Sequence, residues 1–142
     1  MPKTTASVGL GSTDLTSNPL SLSSRFLLTT DGSAGLEETT GLTRIKVGTS
    51  PTTIADASAD FTNSGESQLA FIYIKNFSTN ATTPVFTDSL IIKVSDASSS
   101  HLTLGHLAGG QACLLPYSGD NDITITADVA NTIVEYIIIH EG

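Results

Sequence analysis

Apolar and polar positions alternate with a period of two along most of the chain, in short runs separated by turn residues. Residues 42–47 (LTRIKV) set Leu42, Arg44 and Lys46 against Thr43, Ile45 and Val47, which predicts a half-buried strand with a basic face toward water. Residues 68–76 (QLAFIYIKN) put Leu69, Phe71, Tyr73 and Lys75 on one face and Ala70, Ile72 and Ile74 on the other. Apolar side chains on both faces predict a central strand covered on both sides. Further strands are expected at residues 25–30, 89–95, 101–104, 111–115, 122–128 and 132–140, with a short edge at 84–87. Between them lie turn signals such as Asp31-Gly32, Gly48-Thr49-Ser50-Pro51, Asp96-Ala97-Ser98 and Val129-Ala130-Asn131. Residues 36–41 read as a polar connection, and residues 54–60 could make one or two helical turns. The pattern predicts an all-β fold: a β-sandwich or jelly roll of about eight short antiparallel strands with an extended N-terminal arm.

Two stretches depart from simple alternation. Residues 1–24 hold small polar residues, two glycines and scattered leucines with very little charge, and show no sustained strand period. They are assigned to an extended N-terminal arm, and residues 25–142 to the sandwich domain. A nearly uncharged arm can lie extended on another protein surface, the alternative being a loose tail. Near the other end, Tyr136, Ile137, Ile138 and Ile139 are consecutive between Glu135 and Glu141, so both faces of that strand are apolar. One face can fill a core; the other needs a cover, from this chain or from a neighbouring subunit. Leu10, Leu15, Leu20 and Leu22 of the arm, with Tyr136 and Ile138 of the last strand, are the candidate protein-binding residues.

Composition narrows the function. Of 142 residues only 14% are charged, against about 25% in typical globular proteins, while 21 Thr and 18 Ser supply polarity. Threonine favours extended backbone because its branched Cβ is stiff in a helix. The net charge of -8 repels phosphate backbones and anionic lipid, and the six basic residues are scattered in sequence. Neither nucleic acid nor membrane is therefore expected as a partner. A single cysteine, Cys113, excludes an intrachain disulfide, so stability must come from packing or assembly. Residues 1–20 lack the apolar run of a secretory leader, and no stretch reaches the roughly 18 apolar residues that span a bilayer, so synthesis in the cytosol is expected.

Candidate chemistry is sparse. His101 and His106 stand five apart with Gly105 between them, whereas a cupin-type metal site needs two histidines on alternate strand positions followed by an acid; surface histidines, His140 included, are the expectation. Gly119-Asp120-Asn121-Asp122 offers oxygen ligands without the twelfth-position Glu of a calcium loop, and reads as a turn. Cys113 has apolar neighbours, as a buried thiol does, and lacks a readable base. Asn76-Phe77-Ser78 and Asn80-Ala81-Thr82 match the glycosylation pattern, but without a leader they read as loop chemistry. No nucleophile elbow, phosphate-binding loop or dinucleotide fingerprint occurs. No catalytic set, metal or cofactor is expected.

The succession Tyr73-Ile74-Lys75-Asn76, Leu90-Ile91-Ile92-Lys93-Val94-Ser95, Gly109-Gly110-Gln111 leading to Leu115-Pro116, Asp122-Ile123-Thr124-Ile125-Thr126-Ala127 and Val134-Glu135-Tyr136 resembles small structural proteins of tailed bacteriophages, in particular β-sandwich or jelly-roll head decoration (cement) proteins. The likeness covers roughly residues 69–136 and rests on strands and turns, with no active-site motif to carry over. It implies a virion protein, made in the host cytoplasm, that binds the major capsid protein on the capsid exterior, often as a homotrimer, and stabilises the shell without catalysis. The acidic surface, the uncharged arm and the apolar last strand agree with that role. A tail, fibre or baseplate component suits the same composition. A carbohydrate-binding module is the alternative from another class, and the absence of Trp weighs against it; a cupin-type enzyme is a third.

Overall fold

The computed structural model describes residues 4–13, 20–28, 36–57, 70–95, 101–117 and 121–141. Among these residues there are eleven strands and no helix: β1 (Thr4–Ser12), β2 (Leu20–Leu28), β3 (Leu36–Thr39), β4 (Thr43–Val47), β5 (Thr52–Ala55), β6 (Ala70–Ser78), β7 (Leu90–Ser95), β8 (His101–Leu107), β9 (Ala112–Tyr117), β10 (Ile123–Ala127) and β11 (Thr132–Glu141). The chain from β4 onward builds two four-stranded antiparallel sheets. The front sheet runs β4-β11-β6-β9 and the back sheet β5-β10-β7-β8. Eight strands wound in that order make a jelly roll, so the expected all-β sandwich is what forms.

The two inner faces share one core. Period-two alternation points Ala70, Ile72 and Ile74 of β6 and Val134 and Ile138 of β11 inward, against Leu90 and Ile92 of β7 and Ile123, Ile125 and Ala127 of β10. Each fully buried Ile or Leu contributes about 1.5–3 kcal/mol. Ile45, Val94, Cys113, Leu115 and Tyr136 pack around this centre, partly buried.

One buried polar group ties the sheets together. Asn76, at the inner face of β6, is fully buried. Its Nδ2 donates to the carbonyls of Asp88 and Leu107, both at 2.8 Å, and its Oδ1 accepts from Ser78 N at 2.8 Å. A front-sheet side chain thereby holds the entry to β7 and the exit of β8. Gly109 sits at the same crossing; a Cβ there would fall 2.0 Å from Val85 O, so only glycine lets the two backbones meet.

Along β11 one edge pairs with β6 over Ile133 to His140, and β4 and β3 share the other. The gap between β3 and β4 is bridged by Thr40, whose N donates to Ile138 O and whose Oγ1 accepts from Ile138 N, both at 3.1 Å. Gly41 then turns the chain at φ 75°.

The structure differs from the sequence expectations in five places. Eleven strands replace about eight, because β1, β2 and β3 join the eight of the roll. The N-terminal arm is paired: β1 and β2 form an antiparallel hairpin from Thr4↔Leu28 to Ser12↔Leu20, so a boundary at residue 24 would cut β2. The polar connection at 36–41 contains β3, recruited by the far end of β11. In place of helical turns, residues 52–55 are strand, since Ile54 and Ala55 gain burial beside β10; residues 58–60 lie outside the described residues. Residues 84–87 form a turn closed by Asp88 N donating to Val85 O at 3.0 Å rather than an edge strand.

Candidate interaction surface

The outer face of the front sheet carries the side chains that the inner alternation leaves over. Its upper half is apolar. Register places Ile137 of β11 opposite Tyr73 of β6 and Ile139 opposite Phe71, while Leu114 of β9 flanks Tyr73 on the other side. All five are half-buried, and partial burial pushes the Tyr73 hydroxyl upward, with smaller contributions from Glu135 and Cys113. Cross-strand aromatic and aliphatic pairs of this kind stabilise a sheet by roughly 0.2–1 kcal/mol each, far less than burial under a second layer would give.

The lower half of the same face is charged. Arg44 of β4 and Lys75 of β6 flank Glu135 of β11 by direct cross-strand pairing. The Arg44 Nη2 donates to Glu135 Oε2 at 2.7 Å, and both cations lie over the Phe77 ring, Arg44 at 4.7 Å and Lys75 at 4.4 Å from its centre. Lys46 is exposed next to them. Half of the chain's six basic residues thus gather on one sheet face that sequence separation had hidden. The Arg44–Glu135 pair is solvent-facing on the Arg side, 55% exposed, so it contributes at most about 1 kcal/mol to stability.

Next to the Asn76 clamp, residues 79–89 form a braced loop. The Ser78 Oγ accepts from Val85 N and Asn80 N, and the Asp88 carboxylate accepts from Thr79 N and Thr79 Oγ1. These donors hold Asp88 below the ordinary carboxylate range, the Thr79 backbone N–H first among them. The turn they stabilise displays Phe86, 69% exposed.

The expected protein-binding residues divide. Leu10 and Leu22 face each other across the hairpin and are exposed, as is Val8 on the same side. Leu20 pairs with Ser12, its side chain lying outside the described residues, and Leu15 is outside them altogether. Tyr136 and Ile138 point the other way: Tyr136 packs against the core and Ile138 is 1% exposed. The outward members of that run are Ile137 and Ile139, one residue off, because strand side chains alternate. Phe71, Tyr73 and Leu114 were not singled out as binding residues, although the split of residues 68–76 into two apolar faces carried the signal for the first two.

The other candidate residues have local roles. His101 and His106 are exposed, and the His140 side chain lies outside the described residues. Among the described residues no group of three or more His, Cys, Asp or Glu is close enough to hold a metal. Asp122 Oδ1 accepts from Ala57 N at 2.9 Å, fastening the end of β5 to β10; Asp120 lies outside the described residues. Burial pushes the Cys113 thiol up, which keeps it protonated. Asn76, expected in loop chemistry, is instead the buried clamp, because β6 runs on to Ser78; Asn80 caps a turn through Thr82 N and Thr83 N.

No family model matches the chain. No curated protein matches it either. Among solved structures, the chain resembles one from the work titled "Bacillus endospore appendages form a novel family of disulfide-linked pili", with a TM-score of 0.52 at 14% sequence identity over 79% of this chain and 92% of that one. The likeness is one of fold alone.

Proposed function

We propose that the chain is a structural protein that acts by assembly and binding rather than by catalysis, and that its site of action is the outside of a tailed bacteriophage head, where it decorates the major capsid protein as a homo-oligomer, a trimer in the simplest arrangement. The observation that carries the assembly reading is the apolar half of the front sheet's outer face, where Phe71, Tyr73, Leu114, Ile137 and Ile139 gather on one side and are only half-buried in the single chain. The net charge of -8 suits the exterior of a particle better than the side facing DNA. The capsid itself enters through the strand-and-turn resemblance noted above. Many modest contacts repeated over a lattice would bind firmly together.

The experiment is to size the purified protein and then sediment it with phage heads. Saturable co-sedimentation supports decoration; a monomer that stays in the supernatant overturns it. A second reading, subunit of a fibre or filament, is favoured by the fold shared with the appendage protein. Electron microscopy of the concentrated protein separates the two, since filaments form without heads in one case only. Disulfide linkage of that filament does not transfer easily, because Cys113 packs partly buried against the core.

A further inference from the structure

Cations are scarce in this chain, yet three of the six meet on one face. Arg44 and Lys46 of β4 stand two positions apart and are exposed, and Lys75 of β6 lies across β11 from Arg44. Arg44 and Lys75 both lean over the Phe77 ring, 4.7 and 4.4 Å from its centre, so two like charges are held toward one point. Glu135 is the acid between them and pairs with Arg44; Lys46 and Lys75 have no ion pair among the described residues. Described carboxylates elsewhere hold main-chain amides instead: Asp88 accepts from Thr79 N, Asp122 from Ala57 N and Asp128 from Ser89 N. With 14 acids to 6 bases, this segregation leaves the lower outer face of the front sheet at +2 while the rest of the chain carries -10.

Cations on an edge strand can serve simply to keep other strands off. That accounts for Arg44 and Lys46 of β4, but not for Lys75, which sits on β6 between β11 and β9, nor for the convergence over Phe77. We propose that this face binds an acidic, extended segment of a partner protein. Arg44 and Lys46 lie about 6.6 Å apart along the strand, the spacing of carboxylates at alternate positions of an extended chain, and Lys75 meets a third from the side. Leu42, two residues before Arg44, is 63% exposed and gives such a segment an apolar contact at one end. A polyanion such as nucleic acid shares the sign of the remaining -10 and is repelled before it reaches the face. A protein whose acids are confined to one segment is not.

The test is fluorescence anisotropy of a labelled peptide of about ten residues, alternating Glu and Thr and ending in Leu, titrated with the full chain. Saturable binding is expected, weakening as salt rises from about 50 to about 500 mM, and the same peptide with Lys in place of Glu does not bind. K46E/K75E should weaken binding by about tenfold or more, whereas E135Q, which removes the acid from the face, should tighten it. Thermal melts of each variant, with an intermediate loss in K46Q/K75Q, separate lost charge from lost fold.

An acidic peptide that does not bind overturns the proposal, as does binding that K46E/K75E leaves unchanged or that E135Q weakens. Duplex DNA bound as tightly as the peptide overturns the choice of a protein segment. Sedimentation velocity of the full chain adds one more arm: self-association that K46E/K75E abolishes puts the acids on a second copy and overturns the choice of a separate partner. Decoration of phage heads can fail without changing any of these outcomes.

Discussion

At the scale of single residues, the fold depends on a few polar groups in places where apolar ones would be expected. Asn76 satisfies three backbone groups inside the core, and truncation leaves them unpaired in a low-dielectric setting. Asn76→Ala is expected to cost about 3 kcal/mol, read as a lower midpoint in urea unfolding. Asp88 is the titrating member of the same corner. Its folded value is depressed by the Thr79 donors, so its contribution is complete above the ordinary Asp range and disappears as pH falls through the lowered folded value. Melts across an acid series should show that loss in the parent and its absence in Asp88→Asn. Neither role was legible from the sequence, where Asn76 read as part of a glycosylation pattern and Asp88 carried no signal of its own. Both depend on contacts between residues brought together by the roll, which local pattern cannot encode.

At the scale of elements, alternation settled most of what it could. The inner and outer sets of β4, β6 and β10 follow directly from the order of residues, since period two leaves only a choice of face. The run in β11 is where the choice itself was hidden, because Tyr136, Ile137, Ile138 and Ile139 are all apolar and only the register with β6 and β4 decides. Ile138→Ala should therefore destabilise by about 3–4 kcal/mol, as for a buried aliphatic, and Ile137→Ala by less than about 1 kcal/mol, checked by denaturant unfolding of both. Equal losses would mean that the outer face is covered within the chain. The hairpin escaped notice for another reason: with Ala6 and the flanking serines and glycines so small, a period of two is present from Ala6 to Leu10 but weak in hydrophobic contrast. Short strands such as β3 and β5 carry too few residues for any period, and form because a neighbour supplies the other half of their ladder.

At the scale of the whole molecule, pairing divides the chain into a hairpin bonded to itself and a jelly roll that includes the gathered cations. Removal of residues 1–28 should leave the stability of the remainder within about 0.5 kcal/mol, measured by calorimetry on the shortened chain, since β1 and β2 take no place in either roll sheet. The charge map was legible only in part: the total came from composition, but the cluster of Arg44, Lys46 and Lys75 required β4 and β6 to sit on either side of β11. A second truncation has a different outcome. The segment Tyr136-Ile137-Ile138-Ile139 has the β-propensity and low charge that cross-β stacking uses, and it is harmless because β6 fills one edge while β4, Thr40 and β3 fill the other. A chain beginning after Gly41 keeps the eight strands of the roll yet bares the outer edge of β11 beside Ile138 and Ile139. It is expected to seed amyloid-like fibres, detected by thioflavin fluorescence, at concentrations where the full chain stays clear. Four residues of β3 and one threonine thus act as an aggregation guard.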